Sequence, residues 1–280
     1  MERKLASCPR LQNRKIETLG FAVNGYGTAQ ELLVLKKHVW KYQPDAVLLA
    51  VFTGNDIWNN SRELERHPDR PYFTLDNGNL TLHRENLDSA AFKRKKWLSD
   101  IKHGIYNELR TLQLARQAYK KLKYGLKHED RPLADQLKAG LNMDVFASPK
   151  SPAWESAWHV TEKLIGEMAR EVRRRPKTLF WIATLSAPPQ VYPDPAVRAG
   201  IARSLGVPDL RGPDRRVAAL ARSLNLPAVT LVDDLAAYAE THKVRLHGSP
   251  GFAGGHWNAT GHRIAGERLA ASICGFLAPR

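Results

Sequence analysis

The stretch Asp45-Ala46-Val47-Leu48-Leu49-Ala50-Val51-Phe52, followed at once by Thr53-Gly54-Asn55-Asp56, decides the fold class. After Asp45 the run is apolar without interruption. It is too short for an independent helix and rich in valine and leucine. A strand buried on both faces of a parallel sheet reads this way, because neither face meets water. The Gly-Asn-Asp turn ends it. Upstream, Leu32, Leu35 and Val39 share one helix face, and Pro44 closes that helix before the strand. Thr28 reads as its N-cap, with Glu31 three residues on completing a capping box. Residues 15–22 (KIETLGFA) read as a short strand that breaks at Asn24-Gly25-Tyr26-Gly27.

Downstream, the same alternation returns after residue 150. A helix is expected over 153–175, cut by Pro176, then a second buried strand over 178–185 (TLFWIATL). A helix at 214–224, a short strand at 228–232, a helix at 234–241 and a last helix at 260–277 follow. Strands alternating with helices predict an α/β protein with a parallel sheet and helices on both faces. Residues 57–150 break this rhythm. They hold a hairpin at 72–82, turned by Asp76-Asn77-Gly78, and then basic helical patterns. We read them as an insertion or lid within one domain spanning residues 1–280.

The apolar share, 43%, suffices for a sizeable core. The net charge is +15. It is clustered at Lys93-Arg94-Lys95-Lys96, at Lys120, Lys121, Lys123 and Lys127, and at Arg173-Arg174-Arg175. These runs read first as solvated helix faces. Contact with an anionic membrane or polymer is the alternative. No helix-turn-helix, zinc-finger or RNP-type signature supports specific nucleic-acid binding. No apolar run is long enough for a transmembrane helix. The charged start, MERKLASCPRLQNRK, has no signal-peptide core. Cys8 and Cys274 form neither a CxxC nor a metal set, and a disulfide framework is not expected from them. His256 and His262 are without a carboxylate cluster between them and no HExxH occurs, so neither metal nor cofactor is expected.

In an open α/β sheet, ligands bind beyond the carboxyl ends of the strands. The residues standing there are Gly25, Asn55, the pair Asp233-Asp234, and His256 in GGHWNATGH (residues 254–262). Each has a plain structural use. Gly25 permits a tight turn, Asn55 caps one, Asp233 and Asp234 read as helix N-caps, and Asn258 or Thr260 caps the last helix. His262 reads as a helix residue. Taken together, the set says more. The Gly25 N–H and the Asn55 amide are neutral donors suited to a developing oxyanion. An imidazole is the usual proton carrier near neutral pH. That is the chemistry of acyl transfer, lacking only a nucleophile.

These blocks resemble the SGNH/GDSL hydrolase superfamily. VNGYGTAQE is similar to its glycine block, PDAVLLAVFTGND to its asparagine block and GGHWNATGHRIAGE to its C-terminal histidine block. The resemblance covers residues 15–60 and about 177–278. It implies a three-layer α/β/α, flavodoxin-like fold with the basic, mainly helical region inserted. It implies Gly25 and Asn55 as the oxyanion hole and His256 as the catalytic base. The implied activity is serine ester hydrolysis on short-acyl, for instance O-acetyl carbohydrate, esters, often in the bacterial envelope. Two departures stand out. No Gly-Asp-Ser occurs, and Ser7 lies in a helix-like context. The resemblance therefore leads us to expect that the chain begins late, after the nucleophile strand. The family's acid falls at Ala253 or, with variant spacing, Gly254. Asp233 or Asp234 is left as the possible orienting acid. The alternatives are a catalytically degenerate SGNH-like binding module and an accessory protein related to O-acyltransferases.

Overall fold

The computed structural model describes residues 1–12, 14–65, 69–125 and 131–277. The strands are β1 (Ala46–Phe52), β2 (Tyr72–Asp76), β3 (Asn79–His83), β4 (Leu179–Leu185), β5 (Ala228–Thr230), β6 (His247–Ser249) and β7 (Phe252–Trp257). The helices begin with α1 (Glu2–Leu5), α2 (Thr28–Lys37), α3 (Asp56–Asn59), α4 (Arg62–Glu65) and α5 (Glu85–Asp88). Then come α6 (Ala90–Glu108), α7 (Arg110–Gly125), α8 (Leu133–Lys138) and α9 (Pro152–Arg173). The last are α10 (Pro195–Leu205), α11 (Gly212–Ser223), α12 (Leu231–His242) and α13 (Ala259–Phe276).

The fold is mixed α/β. Among the described residues the main sheet is parallel, in the order β1-β4-β5. The central strand β4 carries the core on both faces. Phe180 and Ile182 pack with Leu49 and Val51 against α2 and α9, through Leu32, Leu164 and Ile165. Trp181 and Ala183 point the other way, toward α12 and α13, where Leu235, Leu269 and Ile273 receive them. The period of two along β4 thus divides one strand between two hydrophobic layers. Among the described residues, the apolar run 45–52 turns out to be an edge strand. Leu49 and Val51 are buried while Ala46 is exposed, so its apolar run exceeds what its position uses.

Several expectations need correction. Residues 15–22 form no strand. They have no regular secondary structure and no ladder partner, and are tied to α1 where the Thr18 N–H and hydroxyl both donate to Glu2 at 2.9 Å. Interrupted by Glu17 and Gly20, this segment contributes Ile16 to the core beside Trp181. The N-cap of α2 is Gly27, one residue earlier than Thr28. Gln30 serves the box in place of Glu31, accepting from the Gly27 N–H at 2.9 Å. The strand at 228–232 ends at Thr230, and α12 starts at Leu231. Asp233 and Asp234 therefore sit in the first turn of α12, where they favour its dipole without being N-caps. The hairpin β2–β3 turns at Asn77 and Gly78, both with positive φ. Lys127 lies outside the described residues.

Cys8 and Cys274 are bonded in a disulfide, against the sequence expectation, with Cα atoms 5.9 Å apart. A separation of 266 residues is no obstacle once the N-terminal segment folds onto the end of α13. There Arg10 donates to the carbonyls of Cys274 at 3.1 Å and Gly275 at 2.6 Å. Closing so long a loop restricts the unfolded chain. Cys8→Ser is expected to lower unfolding free energy by about 2–4 kcal/mol, read by urea titration with and without reductant. Equal midpoints for the two proteins under oxidising conditions would refute it.

Candidate functional site

The glycine and asparagine blocks form one wall. β1 ends at Phe52, and the chain turns into α3, whose N-cap is Asn55. The turn is held from within, because the Phe52 N–H donates to Asp56 Oδ2 at 2.7 Å. The glycine block packs directly on it. A Cβ at Gly27 would stand 3.0 Å from Asn59 Cβ and 3.1 Å from the Asp56 carbonyl. Asn60 Oδ1 accepts from the Ala29 N–H at 2.9 Å, and Asn60 Nδ2 donates to Thr161 at 2.8 Å. Gly25 adopts φ +77°, and a Cβ there would meet the Arg70 guanidinium at 2.7 Å. Arg70 is anchored by Glu65 at 2.6 Å.

This wall holds unusual polar groups. Burial pushes the Glu31 carboxyl up to about 7. Burial, with Glu31 nearby, pushes Asp56 well above the ordinary carboxylate range. Thr28 Oγ1, Glu31 Oε2 and Thr53 Oγ1 are buried with no hydrogen-bond partner among the described residues. The folded protein binds the Glu31 proton more tightly than the unfolded chain does. The resulting stability is fully present below about pH 4.5 and is lost as pH rises through about 7. Glu31→Gln removes a carboxylate that burial penalises. It is expected to stabilise the protein by about 2 kcal/mol at pH 8 and to change little at pH 4.5, by chemical denaturation at both. A gain of equal size at both pH values would show that ionisation is not its source.

The histidine block forms a second wall, on an antiparallel ribbon that the sequence did not announce. β6 and β7 pair from His247↔Trp257 to Ser249↔Phe252. The ribbon is fastened to the end of β4 by a buried network. His247 Nδ1 lies 2.9 Å from the Gly255 carbonyl and Nε2 lies 3.3 Å from Ser186 Oγ. Trp257 Nε1 donates to Ser186 Oγ at 3.0 Å. A carbonyl only accepts, so Nδ1 carries the proton. Nε2 then accepts from the Ser186 hydroxyl, whose oxygen takes the indole N–H. Burial, aided by the nearby His256 and His262, lowers His247 to about 4 and keeps it neutral. Ser186 directly follows β4 and Thr53 directly follows β1. The two strands are in register to Phe52↔Leu185, so the two walls adjoin at one edge of the sheet.

His256 stands on β7 with its ring exposed, flanked by Gly255, whose carbonyl holds His247. Asn258 caps α13, accepting from the Gly261 N–H at 3.0 Å, and His262 meets Trp257 edge-on at 5.6 Å. Among the described residues no hydrogen bond joins Gly25, Asn55 and His256 to one another, and no carboxylate bonds to His256. Ala253 is buried, its N–H bound to Gln136 Oε1 at 2.9 Å. Position 254 has no room for an acid, because a Cβ there would lie 1.9 Å from the Gln136 carbonyl oxygen. Asp233 pairs with Arg211 at 2.6 Å and Asp234 with Arg268 at 3.9 Å, both largely exposed. Sequence reasoning missed Ser186 and His247. They are 61 residues apart, and only the ribbon brings them together.

No group of three or more His, Cys, Asp or Glu suited to a metal occurs among the described residues. Comparison with protein-family models, with curated proteins and with solved structures gives no match. Fold and site thus define a mixed α/β protein with a polar, histidine-bearing edge on its parallel sheet.

Proposed function

We propose that this chain carries the base and oxyanion side of a Ser–His ester hydrolase of the SGNH type, with a flavodoxin-like α/β/α fold and residues 57–150 as its insertion. One observation carries the reading. The glycine block packs on the asparagine block just after β1, and the ribbon bearing the histidine block is tied through Trp257 to Ser186 just after the neighbouring strand β4, so both stand toward the carboxyl ends of the strands, where such folds bind ligands. In this reading the Gly25 N–H and the Asn55 amide receive the oxyanion, and His256 moves the proton. The unpartnered buried oxygens of Thr28, Glu31 and Thr53 fit a site that expects further hydrogen-bonding chemistry beside β1. Short-acyl esters of carbohydrates are the proposed substrates. The nucleophile would come from a Gly-Asp-Ser segment, which this sequence does not contain.

A second reading rests on Ser186. Its hydroxyl faces a histidine whose other nitrogen is fixed by a carbonyl, the arrangement of a nucleophile, a base and an orienting group. Against it, Ser186 is 1% exposed and its oxygen already accepts the Trp257 N–H. Fluorophosphonate labelling of the gene product, followed by peptide mapping, separates the cases. A labelled serine in a Gly-Asp-Ser context supports the first, and label on Ser186 supports the second. No adduct and no turnover of p-nitrophenyl acetate would leave a degenerate binding module.

A further inference from the structure

The α6–α7 hairpin stands apart from the chemistry just described and leaves its apolar residues uncovered. Trp97, Leu98, Ile101 and Ile105 share one face of α6 and are 44–61% exposed. On α7, Leu112 is 41% and Leu122 67% exposed. The two helices do not cover these side chains for each other, because they meet through polar groups. Gln113 Nε2 donates to the Tyr106 carbonyl at 2.8 Å, and the Arg116 guanidinium lies 5.2 Å from the Tyr106 ring centre. The cleft between them is lined by His103, Asn107, Gln117 and Lys120 as well. Burying such large apolar groups is worth about 25 cal/mol per Å², so leaving them uncovered calls for a partner.

Charge identifies it. From Ala90 to Lys120 the sequence holds eight Lys or Arg against two acids, Asp100 and Glu108. Asp100 is taken by Lys96 at 2.5 Å. The Arg173–Arg175 run differs. Arg174 and Arg175 pair with Glu171 at 3.2 and 2.8 Å, and Arg175 stacks on Trp40 at 3.8 Å, so that run belongs to the body. A second copy of the hairpin would set like charges against each other. A nucleic acid would satisfy the lysines and leave the isoleucines and Trp97 in water. A bilayer interface with anionic headgroups takes both, with apolar side chains at the acyl boundary and lysines among the headgroups. No helix among the described residues is long and apolar enough to cross a membrane, so the contact would lie along the surface.

We infer that the α6–α7 hairpin docks the protein on an anionic lipid bilayer. The test is co-sedimentation of the 280-residue protein with vesicles of phosphatidylcholine alone or mixed with phosphatidylglycerol, at low and high salt. The protein is expected to pellet with the mixed vesicles at low salt and to remain in solution with phosphatidylcholine. Trp97→Glu with Ile101→Glu, and separately Lys93→Glu with Lys96→Glu, are each expected to weaken that binding at least about tenfold. These side chains are exposed, so the melting temperatures should match wild type, and that control shows the variants are folded. Pelleting that ignores phosphatidylglycerol, or folded variants that bind like wild type, would overturn the inference. So would binding to an RNA oligonucleotide with none to vesicles. None of these outcomes depends on ester hydrolysis.

Discussion

Replacing His256 by Ala is expected to cut p-nitrophenyl acetate hydrolysis by the gene product about a thousandfold, which is the scale of a general base that positions and moves a proton. The ring is exposed and holds no buried partner, so its loss should leave the melting temperature near wild type. His247→Ala is the informative contrast. It removes a buried ring, leaves the Gly255 carbonyl and the Ser186 hydroxyl without it, and should destabilise the ribbon by about 1–3 kcal/mol. Rate and stability then fall together. A rate unchanged in His256→Ala would remove the role assigned to it. A rate lost in His247→Ala at full stability would move the chemistry to the Ser186 pair.

Gly254→Ala carries the largest expected loss of stability, about 3 kcal/mol or more. The added Cβ would stand 1.9 Å from the Gln136 carbonyl oxygen, 2.9 Å from its carbon and 3.0 Å from the Phe252 ring. Backbone cannot swing aside as a lysine tip does. Relief would mean lifting α8 from β7, and with it the bond from Gln136 to the Ala253 N–H. Gly275→Ala is the control. It lies in α13 with nothing within 4 Å of the new Cβ, and should be neutral or stabilising by up to about 1 kcal/mol through helix propensity. Urea midpoints of the two variants measure the difference, and a wild-type midpoint for Gly254→Ala would refute the packing argument. The same contact explains why an acid at 254 is not an available way to orient His256.

The proposed bilayer contact and the proposed hydrolase stand on separate residues, so each can fail without the other. The Cys8–Cys274 disulfide accords with an oxidising compartment, where such bonds persist.

The sequence by itself determined the elements whose pattern is local. The apolar runs at β1 and β4 fixed the α/β class, since uninterrupted apolar strands need cover on both faces. Asn77-Gly78 fixed the hairpin turn, and the spacing of Leu32 and Leu35 fixed the inner face of α2. It also marked Gly25, Asn55 and His256 as residues to follow. Only the tertiary structure decided which strand is central, because β1 and β4 read alike and differ in what packs on them. It paired Cys8 with Cys274 and drew Ser186 to His247, contacts between distant segments that no periodicity records. It turned Glu31 from a capping residue into a buried acid beside Asp56, since Gln30 reached the Gly27 N–H first. Pattern in a sequence reports which face is apolar, and the folded chain alone sets which groups meet across it.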